Sequence, residues 1–231
     1  MKLKKYIFYF LFFSIFSLAF SKSPCEEVKA FAGDSNPQLS AIIDGIEKRY
    51  AVPGFSARFF QTSTLKDMDI TDTASGRLLI KRPGMMRWEY ETPDRQTIIS
   101  DGFQLWIYRP EDNQVMIGKA PDFFGDGKGA SFLSDITRMR RNFTISLEKN
   151  DKDNNPVLKL LPGKKALDLA AIYLTIARET FEVVRIVTYN SFGDETRIDL
   201  ADIRFDPDLE NALFSFAAPE GAEILQLEEQ P

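Results

Sequence analysis

The sequence predicts a mainly β fold with helical cover (α+β): one antiparallel sheet that bends strongly, with two amphipathic helices over its concave face. Three observations carry this. Roughly ten segments show the two-residue alternation of half-buried strands. They follow one another across short turn signals, the order that hairpins produce. Only two segments have helical periodicity, and each has an apolar stripe that must be buried against another surface.

The first helix begins at Ser35-Asn36-Pro37, capping residues followed by proline at the first helical position. Leu39, Ile42, Ile43, Ile46 and Tyr50 recur at helical spacing, and Pro53-Gly54 ends the run. Strands are predicted at 55–62, 73–81 and 85–90. Two more, 96–100 and 103–108, flank Asp101-Gly102, a two-residue hairpin signal. A turn at 110–113 leads to a strand at 114–119. Residues 121–129 contain three glycines and no period, the pattern of a mobile loop.

The second helix is predicted over 130–141, with Phe132, Leu133, Ile136 and Met139 on one face. Arg138, Arg140 and Arg141 fall in its last turn, where they complement the helix dipole. Strands follow at 143–148, 157–161, 171–178, 181–189 and 195–205, with a last short one at 214–216 before a tail. No repeat or linker divides this stretch.

The chain has 231 residues, 44% hydrophobic and 27% charged, ordinary values for a folded domain. Its start reads differently. Lys2, Lys4 and Lys5 precede an apolar run from Tyr6 to Phe20, and Ala19-Phe20-Ser21 offers small residues for cleavage. That is the pattern of a secretory signal peptide, and the run is short for a membrane span. The expected organisation is a signal peptide at 1–21 and a single domain at 22–231. Removal of three lysines and no acid takes the formal charge from −5 to −8. Cys25 follows Pro24, with Lys22 three residues before it, a poor context for lipid attachment. The mature protein is therefore expected to be soluble and not itself lipidated. A lone cysteine makes no internal disulfide. The acidic balance argues against a nucleic-acid partner, which requires a basic face.

Catalytic chemistry has little to work with. The chain contains no histidine, the usual general base and common metal ligand. No enzyme activity, cofactor or metal is expected. Gly125-Asp126-Gly127-Lys128-Gly129 lacks the Gly-Lys-Ser/Thr order of a phosphate loop and reads as a hinge. Asn142-Phe143-Thr144 matches a glycosylation sequon, a common chance match. More informative is a row of strand residues: Phe55, Phe59, Met86, Trp88, Tyr90, Trp106 and Tyr108. Together they would make a sheet face too apolar to leave wet. Periodicity alone leaves two readings open, a packed core under the helices or an apolar cavity with the helices as a lid.

A longer pattern adds to this. Ala57-Arg58-Phe59-Phe60-Gln61 is followed by Gly76-Arg77-Leu78-Leu79-Ile80-Lys81-Arg82-Pro83-Gly84, then Arg87-Trp88-Glu89-Tyr90 and Pro93. Ser100-Asp101-Gly102 and Leu105-Trp106-Ile107-Tyr108 come next, and Phe214-Ser215-Phe216 with Pro219-Glu220-Gly221 comes last. In order and spacing this resembles the outer-membrane lipoprotein carrier family LolA, over about residues 38–224. The family often has an aromatic two residues before the tryptophan, where this chain has Met86, and residues 121–145 match poorly.

The resemblance implies a half-barrel sheet and a helical lid, with the acyl chains of a lipoprotein held between them. The implied cavity residues are Phe59, Leu78, Ile80, Met86, Trp88, Tyr90, Phe132 and Ile136. The arginine of the family's Lys-Arg-Pro motif bonds to the lid in the closed state, and here it is Arg82. Two-residue alternation places Leu78, Ile80 and Arg82 on one face, where a guanidinium at an apolar edge needs acceptors. The implied location is the periplasm. The implied partners are acylated lipoproteins, an inner-membrane ABC transporter of the LolCDE type, and an outer-membrane receptor of the LolB type where one exists. A monomer is expected. The competing expectation on the same scaffold is a carrier of free lipid or glycolipid, or a module that senses lipoproteins.

Overall fold

The computed structural model describes residues 36–121, 133, 138–163, 169–206 and 208–227. The expected signal peptide, Cys25, the glycine-rich segment at 125–129, Phe132 and Ile136 lie outside the described residues.

Helix α1 (Pro37–Arg49) forms where the caps predict. The Asn36 side chain accepts from the amides of Gln38 at 3.0 Å and Leu39 at 3.3 Å. Both amides belong to the first turn, which has no partner inside the helix. Ile42, Ile43 and Ile46 form the buried stripe, and Tyr50 caps the far end.

The strands are β1 (Gly54–Leu65), β2 (Ile70–Lys81), β3 (Met85–Thr92), β4 (Gln96–Asp101), β5 (Gln104–Arg109), β6 (Gln114–Lys119), β7 (Phe143–Leu147), β8 (Val157–Pro162), β9 (Ala171–Ile176), β10 (Val183–Tyr189), β11 (Glu195–Phe205) and β12 (Glu223–Gln226). A short helix α2 (Arg138–Asn142) leads directly into β7. All twelve strands join one sheet in the order β12-β6-β5-β4-β3-β2-β1-β11-β10-β9-β8-β7. The sheet is curved and open.

Three expectations are corrected. The sheet is not wholly antiparallel, because β12 adds to the β6 edge in parallel, Ile224 opposite Val115. This strand falls in what the sequence suggests is a tail. Residues 214–216 are not a strand; a 3-10 turn occupies Asn211–Phe214 and buries Phe214. The β1–β2 hairpin is longer than predicted, paired from Gly54/Lys81 to Leu65/Ile70. Its 3-10 turn at Lys66–Met68 ends on Asp69, which takes the left-handed conformation at φ 51°. Aspartate tolerates that region better than most residues, so a polar stretch that looks like loop is the tip of a tight hairpin.

One hydrophobic cluster joins Ile42, Ile43, Ile46 and Tyr50 of the α1 segment to the inner face of the sheet. Leu133 and Met139 belong to the same cluster. A separate apolar layer lies on the opposite face, where Arg87 Nη1 donates to the Leu213 carbonyl at 3.2 Å and Tyr108 meets Phe216 at 5.4 Å between ring centroids.

Candidate functional site

The inner face follows from register, since directly paired residues in an antiparallel sheet point the same way. Across β1, β2 and β3, Phe55 pairs with Ile80 and Ile80 with Met86. One step along, Ala57 pairs with Leu78 and Leu78 with Trp88. The row continues from Trp88 to Ile98, Ile107 and Met116. On the other side Phe59 pairs with Leu200, and Gln61 with Ile198.

Six of the residues expected to line the cavity thus share this face: Phe59, Leu78, Ile80, Met86, Trp88 and Tyr90. The most exposed of them, Trp88, keeps only 7% of its surface, so the face is covered. Three of the rings form a cluster. Phe59 meets Trp88 and Tyr90 edge-on, each at 4.9 Å, and Trp88 lies 6.5 Å from Tyr90. Burial pushes the Tyr90 phenol above the usual tyrosine range.

Trp106 and Tyr108 are not part of this face, a correction to the expected aromatic row. Trp106 pairs with Ile99 and Tyr108 with Thr97, residues one position out of step with the inner row. Because Leu105-Trp106-Ile107-Tyr108 is apolar at every position, alternation alone does not assign its faces.

Arg82 follows β2 directly, and its amide donates to the Pro53 carbonyl at 2.7 Å. Its guanidinium carbon lies 5.9 Å from the centre of the Tyr50 ring. Tyr50 in turn packs edge-on against Phe55 and Phe205, at 5.3 and 5.1 Å. Its hydroxyl accepts from the Val183 amide at 3.0 Å. Burial raises the Tyr50 phenol, opposed by that amide and more weakly by the nearby guanidinia of Arg49 and Arg82. Arg82 therefore sits where the end of α1 meets the sheet.

Several contacts that hold the cover were not anticipated. Arg140 of α2 reaches α1, with Nε donating to Glu47 at 2.7 Å and Nη2 to Asp44. These two carboxylates hold the Arg140 guanidinium well above its ordinary range. Its charge is therefore committed to α1 as well as lying at the end of its own helix. Arg49 bonds Glu182. A Cβ on Gly45 would lie 2.3 Å from the Phe181 ring, so the helix backbone there admits an aromatic side chain. The only sequence signal for these was a glycine inside a helix and acids on its polar side.

The second half of the sheet also contributes to the inner face and went unnamed. Ile198, Ile186, Leu174 and Leu158 continue the rows across β11, β10, β9 and β8. Their alternation was legible, but no motif singled them out. Among the described residues, no three His, Cys, Asp or Glu side chains gather as a metal-binding group.

Fold and face together define a class: mainly β proteins built on one curved, open sheet with few helices. A family model described as outer membrane lipoprotein carrier protein LolA matches residues 51–217, and the chain belongs to that family. The outer-membrane lipoprotein carrier protein of Neisseria meningitidis serogroup C is 28% identical over 216 residues, covering 94% of this chain and 96% of the relative. That of Chromobacterium violaceum is 32% identical over 188 residues, covering 81% and 85%. The solved structure of an uncharacterized conserved protein from Thermus thermophilus matches with a TM-score of 0.52 at 15% identity, over 82% of this chain and 99% of that one. At that identity the match shows the fold alone.

Proposed function

We propose that this protein is a periplasmic carrier that takes up the acyl chains of lipoproteins leaving the inner membrane and delivers them to the outer membrane. The observation that carries this is the continuous apolar inner face, reaching from β6 across β1 to β8 and covered by α1, in a chain of the LolA family. A sheet face of that extent suits long hydrocarbon chains, which need area and shape more than directional bonds.

In this reading the signal peptide at 1–21 is removed and residues 22–231 work as one soluble, monomeric domain. No helix of the described residues is long and apolar enough to cross a membrane. The α1 segment, with Leu133 and Met139, acts as the lid, since these residues pack on the inner face. Phe59, Leu78, Ile80, Met86, Trp88 and Tyr90 line the site when the lid lifts. Arg82, beside Tyr50, is the latch. Loading comes from a LolCDE-type transporter and unloading goes to a LolB-type receptor, without covalent chemistry. The test is mass spectrometry of material that co-purifies from the periplasm. A triacylated protein is expected; free lipid or glycolipid alone would contradict the reading.

A further inference from the structure

The inner face is apolar near Arg82 and becomes polar toward the Lys66–Met68 turn. Along β1 the inward positions run Phe55, Ala57, Phe59, Gln61 and Ser63. The last two join Tyr90 of β3 in a chain of hydrogen bonds. The Tyr90 hydroxyl donates to Gln61 Oε1 at 3.1 Å, and Gln61 Nε2 donates to Ser63 Oγ at 3.0 Å. All three are buried, at 5%, 7% and 2% exposure, so their polarity is not there to meet bulk water. Valine or leucine at 61 and 63 would continue the apolar row without the cost of desolvating an amide and a hydroxyl. A face meant only for hydrocarbon has no use for them.

An acyl anchor is not hydrocarbon throughout. Each chain ends in an ester or amide carbonyl, which accepts hydrogen bonds and donates none. Brought into a dry site, that carbonyl loses its water and needs a donor in return. Gln61 Nε2 has two hydrogens and gives one to Ser63, whose hydroxyl keeps its own. These donors border the Phe59–Trp88–Tyr90 ring cluster.

We propose that Gln61, Ser63 and Tyr90 form a carbonyl-recognition subsite. It takes the ester carbonyls at the head of a diacylglyceryl anchor while the chains run toward Leu78, Ile80 and Met86. The subsite rests on the reading of the inner face as an acyl-chain site. It orients the ligand, with the glyceryl end toward the Lys66–Met68 turn and the chain ends toward Arg82. It also lets the protein prefer acylated cargo over plain alkyl chains.

The experiment uses the mature protein and two fluorescent lipopeptides of equal chain length. One carries a diacyl ester glyceryl group and the other its dialkyl ether counterpart, which lacks only the carbonyls. Wild type is expected to bind the ester about fivefold more tightly, the worth of one hydrogen bond. Gln61→Leu and Tyr90→Phe should each lower ester affinity more than ether affinity, moving the ratio toward one. Equal wild-type affinity for the two probes, or an unaltered ratio in both variants, would overturn the subsite. Should a variant fail to fold, the wild-type ratio and the smaller change Ser63→Ala still decide. Binding of neither probe would instead contradict the acyl-chain reading itself.

Discussion

Phe59 of β1 and Tyr90 of β3 meet at 4.9 Å between ring centroids, although β2 lies between their strands. The residue of β2 opposite both is Gly76. A Cβ there would lie 1.9 Å from the Glu89 carbonyl oxygen and 3.0 Å from the Phe59 ring. Gly76 thus lets two aromatic side chains close over a strand, at a point where the β2–β3 register shifts between Ser75 and Gly76.

Gly76→Ala follows as a first prediction. The obstructing atom is backbone and does not swing aside, so the β2–β3 pairing has to shift. The expected loss is about 3 kcal/mol, the upper end for overpacking a tight interior. Urea denaturation measures it. A change under about 0.5 kcal/mol, the range of ordinary surface substitutions, would show that the strand relaxes freely.

Alkaline pH tests the burial of Tyr50 and Tyr90. Burial raises both phenols above their ordinary value of 10.0. The unfolded chain ionises these tyrosines first, so stability is complete below pH 10 and falls as pH rises toward the folded-state values. Each group costs about 1.4 kcal/mol per pH unit in that window. Denaturation midpoints between pH 9 and 11.5 should fall less steeply in Tyr90→Phe than in wild type. Parallel slopes would mean that Tyr90 ionises equally well in the folded protein.

The ion pairs between α2 and α1 should matter more for motion than for stability. The Arg140 side chain is 40% exposed, and pairs of that kind are worth under about 1 kcal/mol and weaken with salt. Arg140→Gln is expected to leave the global denaturation midpoint almost unchanged while speeding amide exchange in α1. Exchange at the wild-type rate would show that the apolar stripe alone holds the helix.

Much of this was legible in the residues. The Asn36-Pro37 start and the Ile42/Ile43/Ile46 stripe predict α1, and strict alternation in Leu78/Ile80 and Met86/Trp88/Tyr90 predicts one buried face. Trp106 and Tyr108 escaped because their strand is apolar on both sides, and only the partner strands decide which residues face inward. β12 escaped because four exposed residues carry no burial pattern; the β6 edge, not local propensity, makes them a strand. Gln61 falls at the polar end of the strand predicted over 55–62 and Ser63 just beyond it, and only their burial beside Tyr90 distinguishes them.

Arg82→Leu tests the latch. A carrier must both accept and release cargo, so neither its open nor its closed state is favoured by much. A guanidinium bonded to the lid would favour closure by about 1–3 kcal/mol, a shift of roughly 5- to 150-fold in population. Removing it should give a protein that loads normally and releases slowly, because the empty closed state no longer competes with the loaded one. Release to acceptor membranes carrying the receptor is the readout. Wild-type release at equal stability would reduce Arg82 to a partner of Tyr50.

The most direct test places a photo-crosslinking residue at position 88, on the inner face, and in a second variant at 106, on the opposite face. Each protein is added to spheroplasts making a lipoprotein with isotope-labelled acyl chains, and the soluble fraction is irradiated. A carrier that holds acyl chains on its inner face should give a soluble complex with acyl label crosslinked from position 88 and none from 106. Equal labelling from both positions, or lipoprotein that stays in the membrane, would contradict it.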